Sequence, residues 1–248
     1  VAPALNERIT ELVWKESLGQ ARDMMETLSE PSSTGQSKES NEILEGLKRI
    51  TMNVIGFVGY GTQRHWAEAA TTAPPPAFKT TFMSSIATIA DNFVQAVFIP
   101  ANYLMLPFMP KAVKHIGISK TEFPLHLRKS IAAEQALSTK SNNLIGSLVR
   151  LAEKDKGRAS GSSKASTYLT EEEIMGNLFA FTIAGYETTS TTLAYAVLML
   201  AIDPKWQDWI VHEIDKVTGL HPEADYASIF PLLTRCSALM VRFVYTFT

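Results

Sequence analysis

From Thr170 to Asp203 the chain runs without a proline, and from Ile174 to Ile202 it carries a single charge, Glu187. The start of this run is marked. Thr170 with Glu173 three residues later is a capping box, and Glu171, Glu172 and Glu173 stand where a helix dipole is positive. At the far end Asp203 can cap, and Pro204 can open, the next helix. The run predicts one helix of about 32 residues, roughly 48 Å long. It passes the length test for a membrane span of about 20 apolar residues. Against that, Glu187 lies at its middle, flanked by Thr188, Thr189, Ser190, Thr191 and Thr192, which is poor material for facing lipid. A helix through a protein core, apolar nearly all round with its few polar groups turned toward a site, explains the pattern better. A span over 174–202 stays as the alternative.

The rest of the chain reads as further helices. Apolar residues recur at three and four in Leu5, Ile9, Leu12 and Val13, and again in Ile43, Leu47, Ile50, Val54 and Phe57. A helix is expected over 78–99 (Phe82, Ile86, Ile89, Phe93, Val97) and another over 122–150 with a break in its middle. The helix opened by Pro204 should run to about Val217 and end near Gly219, with Trp206, Trp209, Ile210, Ile214 and Val217 on one side. Loops are expected at 30–40, 71–76 and 156–167, where Ser, Gly, Pro or Thr dominate. Strand alternation is scarcely visible, so the expected class is mostly α.

Composition excludes several functions. The 248 residues carry 23 Lys plus Arg and 25 Asp plus Glu, a net charge of −2, which is no electrostatic footprint for nucleic acid. With 46% hydrophobic residues there is enough apolar surface for a sizeable core, so wholesale disorder is excluded. Cys236 is the only cysteine; it makes no intrachain disulfide, which fits a reducing compartment, and builds no zinc site by itself. His65, His115, His126, His212 and His221 lack the i, i+4 pairing that metal ligation on a helix needs. The length allows one large or two small domains. The chain begins at Val1 with no basic or apolar leader pattern, and is read as one incomplete helical domain over 1–248, a fragment.

The chemistry is concentrated in the long helix, at Ala184, Gly185, Tyr186, Glu187, Thr188 and Thr189. Gly185 costs nearly 1 kcal/mol relative to Ala inside a helix, and each β-branched Thr adds a penalty. Ala184 and Gly185 leave room for a flat ligand to approach the backbone, and Thr188 can turn its hydroxyl to the Ala184 carbonyl and bend the helix. Glu187 and Thr188 could then pass protons from water to something bound beside them. Taken alone, such clusters are more often packing contacts than sites.

AGYETT resembles the central-helix signature of the cytochrome P450 haem-thiolate monooxygenases, A/G-G-x-D/E-T-T/S. Its surroundings, LTEEEIMGNLFAFTIAGYETTSTTLAYAVLMLAIDPKWQDWIVHEIDKV, look like the central helix and the next helix of fungal microsomal members. VAPALNERITELVWKESLGQA, ITMNVIGFVGYG and IPANYLMLPFMP are similar to the same subgroup in the same order, and the likeness covers roughly Val1 to Met240. It implies the central part of that fold, built around one long core helix over about 170–202. It also implies a haem (heme) cofactor and insertion of one oxygen atom from O2 into a small organic substrate. A reductase partner would deliver the electrons, and the full-length parent would sit on the cytoplasmic face of the endoplasmic reticulum membrane. By the same resemblance Ala184 and Gly185 would line the groove over the haem face, while Glu187 and Thr188 would organise protons for O–O cleavage. The iron and porphyrin would carry the reactive step.

The departures carry equal weight. The family's cysteine loop, F-x-x-G-x-x-x-C-x-G, whose thiolate push favours O–O cleavage, is absent, and Cys236, in LLTRCSALM, reads as a packed thiol on a helix rather than the iron ligand. E-x-x-R is missing as well: after Met240 the chain reads VRFVYTFT, where helix propensity falls and strand propensity rises. The W-x-x-x-R of the early helix is not found either, since Trp14 is followed by Leu18 at that spacing. The N-terminal anchor region and the C-terminal haem-ligand region are therefore expected to be missing, and the chain to be inactive as given. A non-catalytic helical protein retained for partner binding is the alternative. Phe98 to Pro110, FIPANYLMLPFMP, is apolar and proline-bounded, either a patch that dips into a bilayer surface or a buried loop.

Overall fold

The computed structural model describes residues 7–29, 41–66, 73–138, 141–159, 169–220 and 225–246. Among them there is no strand. The helices are α1 (Glu7–Ser29), α2 (Asn41–Tyr60), α3 (Phe82–Asp91), α4 (Phe93–Phe98), α5 (Ala101–Leu104), α6 (Lys111–Ala136), α7 (Leu144–Ala159), α8 (Glu171–Ile202), α9 (Pro204–Leu220), α10 (Tyr226–Ile229) and α11 (Thr234–Thr246). A 3-10 turn, Phe230–Leu232, separates the last two.

The chain divides into two compact units, one formed by the described parts of Val1–Glu30 and Arg49–Glu187, the other by those of Pro31–Lys48 and Thr188–Thr248. The core of the first gathers Ile86 and Ile89 of α3, Leu127 and Ile131 of α6, Leu148 and Val149 of α7, and Ile174 and Leu178 of α8, none more than 4% exposed. A polar clamp fixes the entry to α3. Glu122 of α6 accepts from the backbone N–H groups of Lys79 and Thr80 at 2.9 and 2.8 Å and from the Thr80 hydroxyl at 2.6 Å. His126, one turn on, lies 3.0 Å from the Thr80 carbonyl and stacks on Phe78 at 3.9 Å. In the second unit Ala196, Ile210 and Leu239 are buried together, with Trp206 and Cys236 packed against them.

The capping box at α8 forms as expected: the Thr170 N–H donates to Glu173 at 2.8 Å and the Glu173 N–H to the Thr170 hydroxyl at 3.2 Å. Asp203 caps α9 through the Lys205 N–H at 3.1 Å. Several boundaries differ. The helix expected over 78–99 starts only at Phe82, where Thr81 caps the Ser84 N–H at 3.1 Å, and it breaks at Asn92, whose side-chain amide bonds back to the Thr88 carbonyl at 3.0 Å. The helix expected from Glu122 begins at Lys111 and runs through Pro124; its break falls between Ala136 and Leu144. Helix α7 takes in Lys156 to Ala159, while the remainder of the 156–167 loop, Thr71 and Thr72, and the 30–40 loop lie outside the described residues.

Helix α9 continues through Gly219 to Leu220, and its buried stripe is Ile210, Glu213 and Val217, with Trp209 and Ile214 exposed. The fall in helix propensity after Met240 does not end the helix. Helix α11 continues to Thr246, because a β-branched run loses only tenths of a kcal/mol per residue as helix and an already formed first half nucleates it.

Candidate active site

Helix α8 is divided lengthwise. Ile174, Leu178, Thr182 and Tyr186, four residues apart, form its buried side. Gly176, Ala180, Ala184 and Thr188, also four apart, are exposed, as is Glu187 beside them. The core-helix expectation of a helix apolar nearly all round holds for its composition but not for its burial. Along the exposed line, Gly176, Ala180 and Ala184 carry nothing larger than a methyl group, so the helix backbone is open to a flat molecule there.

The two small residues of the signature face different ways. Ala184 belongs to the exposed line. Gly185 is half-buried, and a Cβ added there would meet the Ile55 side chain of α2 at 3.4 Å. A methyl group there would make an ordinary van der Waals contact with α2. Glu187 and Thr188 stand one helical turn beyond Ala184, and the Thr188 carbonyl accepts the Thr192 hydroxyl at 2.8 Å. The structure thus gathers Ala184, Glu187 and Thr188 on one side of α8 and turns Gly185 toward α2.

The buried side is held by a residue that the sequence did not single out. Tyr60, at the end of α2, has its hydroxyl 2.6 Å from Thr182 Oγ1 and 3.2 Å from the Leu178 carbonyl. The Thr182 hydroxyl also lies 2.8 Å from the Leu178 carbonyl, so the two hydroxyls share one acceptor and bond to each other. Burial pushes the Tyr60 phenol up to about 12, against the smaller opposing pull of the Thr182 bond. Tyr186, one turn from Thr182, donates to Asp91 of α3 at 3.4 Å. These contacts fix the rotation of α8 about its axis, and so which residues it presents on its open side.

A cavity of about 410 Å³ adjoins the start of the exposed line, between α3, α4, α6 and the first turns of α8. Gly176 and Phe179 of α8 form one wall, Phe123 and Leu127 of α6 another, and Lys120 is the only charged residue lining it.

Cys236 lies on α11. Its backbone N–H donates to Glu213 of α9 at 3.1 Å, and burial together with the neighbouring Glu213 carboxylate pushes its thiol up. A thiolate is the form that ligates iron, so this environment disfavours the ligand state. Glu213 is the other unforeseen residue. It is 7% exposed and accepts from the Thr234 hydroxyl and from the backbone N–H groups of Arg235 and Cys236, a cap on α11 supplied by a different helix. No group of three or more His, Cys, Asp or Glu residues able to hold a metal ion occurs among the described residues.

The family model for cytochrome P450 matches residues 9–237. The chain belongs to the cytochrome P450 family. Among similar proteins is the phomenoic acid biosynthesis cluster cytochrome P450 monooxygenase of Leptosphaeria maculans, 28% identical over 98% of this chain and 43% of its own length. Another is cytochrome P450 monooxygenase 124 of Postia placenta, 25% identical over 97% of this chain and 44% of its own. The crystal structure of the cytochrome P450DA heme domain superposes with a TM-score of 0.62 over 87% of this chain and 41% of that one, at 16% identity. This cytochrome P450 chain therefore spans about two-fifths of the length of the curated relatives it matches. The fold is the mostly helical one the resemblance implied. No helix among the described residues is long and apolar enough to cross a membrane.

Proposed function

We propose that this chain is part of a haem-dependent monooxygenase that inserts one oxygen atom from O2 into a small organic substrate, with electrons from a reductase partner. The observation that carries the reading is the open side of α8, where Ala184, Glu187 and Thr188 stand together beyond the methyl-sized steps of Gly176 and Ala180. That side fits the flat face of a haem. Haem, when bound, supplies the activation of dioxygen. The axial thiolate is a separate matter: Cys236, hydrogen-bonded by its own backbone to Glu213 and with its thiol pushed up, does not fit that role.

What the residues of α8 do follows from their chemistry. Ala184 leaves the approach to the backbone open; Gly185 faces Ile55 of α2, and Tyr60 holds α8 in register through Thr182. Thr188 offers a hydroxyl that both accepts and donates a proton, and Glu187 a carboxylate exposed to water that can refill it. The 248 residues belong in this reading to one domain of the parent, and by themselves they form no thiolate-ligated haem. The parent acts at the cytoplasmic face of the endoplasmic reticulum. Its membrane contact has support in α4, α5 and their flanks, where Val94, Phe98, Tyr103 and Phe108 are 57–77% exposed.

The test uses the complete parent enzyme. Thr188→Ala should leave haem content and the thiolate-type carbon monoxide band intact while product formed per reduced nucleotide falls and peroxide rises. Glu187→Gln should slow turnover by the same route. Unchanged coupling in both variants rejects the relay assignment.

A further inference from the structure

The buried side of α8 is held by two kinds of contact. Ile174 and Leu178 pack through aliphatic surface, which is non-directional and tolerates a small turn of the helix. Hydroxyl contacts do not, because a hydrogen bond weakens steeply as its length and angle depart from the preferred ones. The Tyr60–Thr182 contact, at 2.6 Å, is much shorter than that of Tyr186 with Asp91, at 3.4 Å. Tyr60 is itself fixed. Its ring packs edge-on against Phe82 of α3, with centroids 4.6 Å apart. Directly behind it α2 closes, where the Gly61 and Thr62 N–H groups donate to the Phe57 and Gly56 carbonyls at 2.8 and 3.0 Å. Gly61 permits that turn, with a φ of 71°.

Helical geometry carries this contact across α8. At about 100° per residue, Ala184 stands about 200° round the axis from Thr182, Glu187 about 140° and Thr188 about 240°. All three lie within about 60° of the point opposite Thr182. Side-chain tips stand about 5–6 Å from a helix axis, so a turn of about 10° carries the Thr188 hydroxyl about 1 Å along its arc. A displacement of that size can cost a reacting group about a hundredfold in rate.

We propose that Tyr60 is a positioning residue for proton delivery: through Thr182 it sets, from the opposite side of the helix, the angle at which α8 presents Glu187 and Thr188. This rests on the monooxygenase reading, which assigns the relay to those two residues.

The experiment compares Tyr60→Phe and Thr182→Val, singly and together, with Thr182→Ser and Ile131→Val in the complete parent enzyme. Tyr60→Phe and Thr182→Val should each keep the thiolate-type carbon monoxide band and lower product formed per reduced nucleotide by about twofold or more, with a matching rise in peroxide. The double variant should be no worse than the poorer single one, since both changes remove the same bond. Thr182→Ser keeps the hydroxyl and should keep the natural ratio. Ile131→Val trims the buried core on α6 at a comparable cost in stability and should also keep it, which separates positioning from a general loss of stability. In the haem-free 248-residue chain, amide exchange over 183–188 should quicken in Tyr60→Phe and Thr182→Val but not in Ile131→Val. A natural coupling ratio in Tyr60→Phe, losses that add in the double variant, an equal loss in Ile131→Val, or unchanged amide exchange each overturn the proposal. Thr188→Ala reports separately. If it uncouples the parent while Tyr60→Phe does not, the positioning role fails and the relay stands; if neither Thr188→Ala nor Glu187→Gln uncouples, the relay itself fails, and the proposal with it.

Discussion

Tyr60→Phe removes one oxygen from the contact that sets the rotation of α8, and its effect on stability should reverse sign with pH. At neutral pH the lost group is a phenol hydroxyl bonded to Thr182 and the Leu178 carbonyl. Thr182 keeps its own bond to the Leu178 carbonyl at 2.8 Å, so no donor is orphaned and the cost is that of one neutral hydrogen bond, about 1 kcal/mol. In alkali the balance changes. The Tyr60 phenol ionises at about 12 in the folded protein against 10.0 in the unfolded chain. Between those values the folded state holds a proton that the unfolded state releases, so stability falls as pH rises through the window. The shift corresponds to at most about 2.7 kcal/mol, at 1.36 kcal/mol per pH unit. The phenyl ring of the variant has no such proton to hold. The natural chain should therefore be more stable than Tyr60→Phe below about pH 10 and less stable above about pH 11, where the alkaline loss exceeds the bond's worth. Urea unfolding of both proteins at half-unit steps from pH 8 to 12 measures the difference, and titration of tyrosinate absorbance should show one late-ionising group missing from the variant. A difference that stays constant across the range would refute the buried-phenol argument.

The remaining predictions concern the other polar anchors and the apolar surface. Burial pushes Glu122 up, but the Thr80 hydroxyl, the Lys79 and Thr80 N–H groups and His126 outweigh it and hold the carboxyl below its usual range; burial pushes His126 down, only partly offset by Thr80 and Glu122. Both groups bind fewer protons folded than unfolded, so stability should fall on acidification, first below about pH 6.5 and again below about pH 4.3, and Glu122→Gln should flatten the second step in urea midpoints. Glu213→Ala removes the cap on α11 and leaves its first N–H groups without their carboxylate; a loss of about 2–3 kcal/mol is expected, with faster amide exchange at Arg235 and Cys236. In vesicle flotation of the anchor-free parent, Phe98→Ser plus Phe108→Ser should reduce binding; Leu104 is 3% exposed, so its replacement would test folding instead, and equal flotation of the double variant counts against membrane contact.

What the sequence made legible was local. The start of α8 is written within four residues, Thr170 to Glu173, and its end within two, Asp203 and Pro204, so both could be read without knowing the fold. The breaks around Asn92 and the continuation of α6 through Pro124 depend on weak preferences that packing overrides. The three polar anchors were illegible for a different reason. Tyr60 meets Thr182 across 122 residues, Glu122 meets Thr80 across 42 and Glu213 meets Thr234 across 21. No periodicity or capping rule links positions that far apart, because the partner is chosen by the tertiary arrangement. A glutamate on a predicted helix face reads as a solvated charge until the N–H groups of another segment are brought to it.

The signature hexapeptide shows how one short string can serve two demands that a sequence pattern cannot separate. Ala184 and Gly185 look like a single provision of space. A helix turns by about 100° per residue, so neighbours cannot share a face. The structure turns them to different surroundings: Gly185 faces Ile55 of α2, and Ala184 keeps the exposed line clear. Tyr60, at the end of α2, reaches Thr182, and that hydrogen bond fixes the rotation that puts Ala184, Glu187 and Thr188 on the open side. A residue larger than alanine at 185 would press on Ile55 of α2, whereas one at 184 would fill the approach along the exposed line. The glycine thus faces a packing contact and the alanine lines the open side, although they are adjacent in the chain.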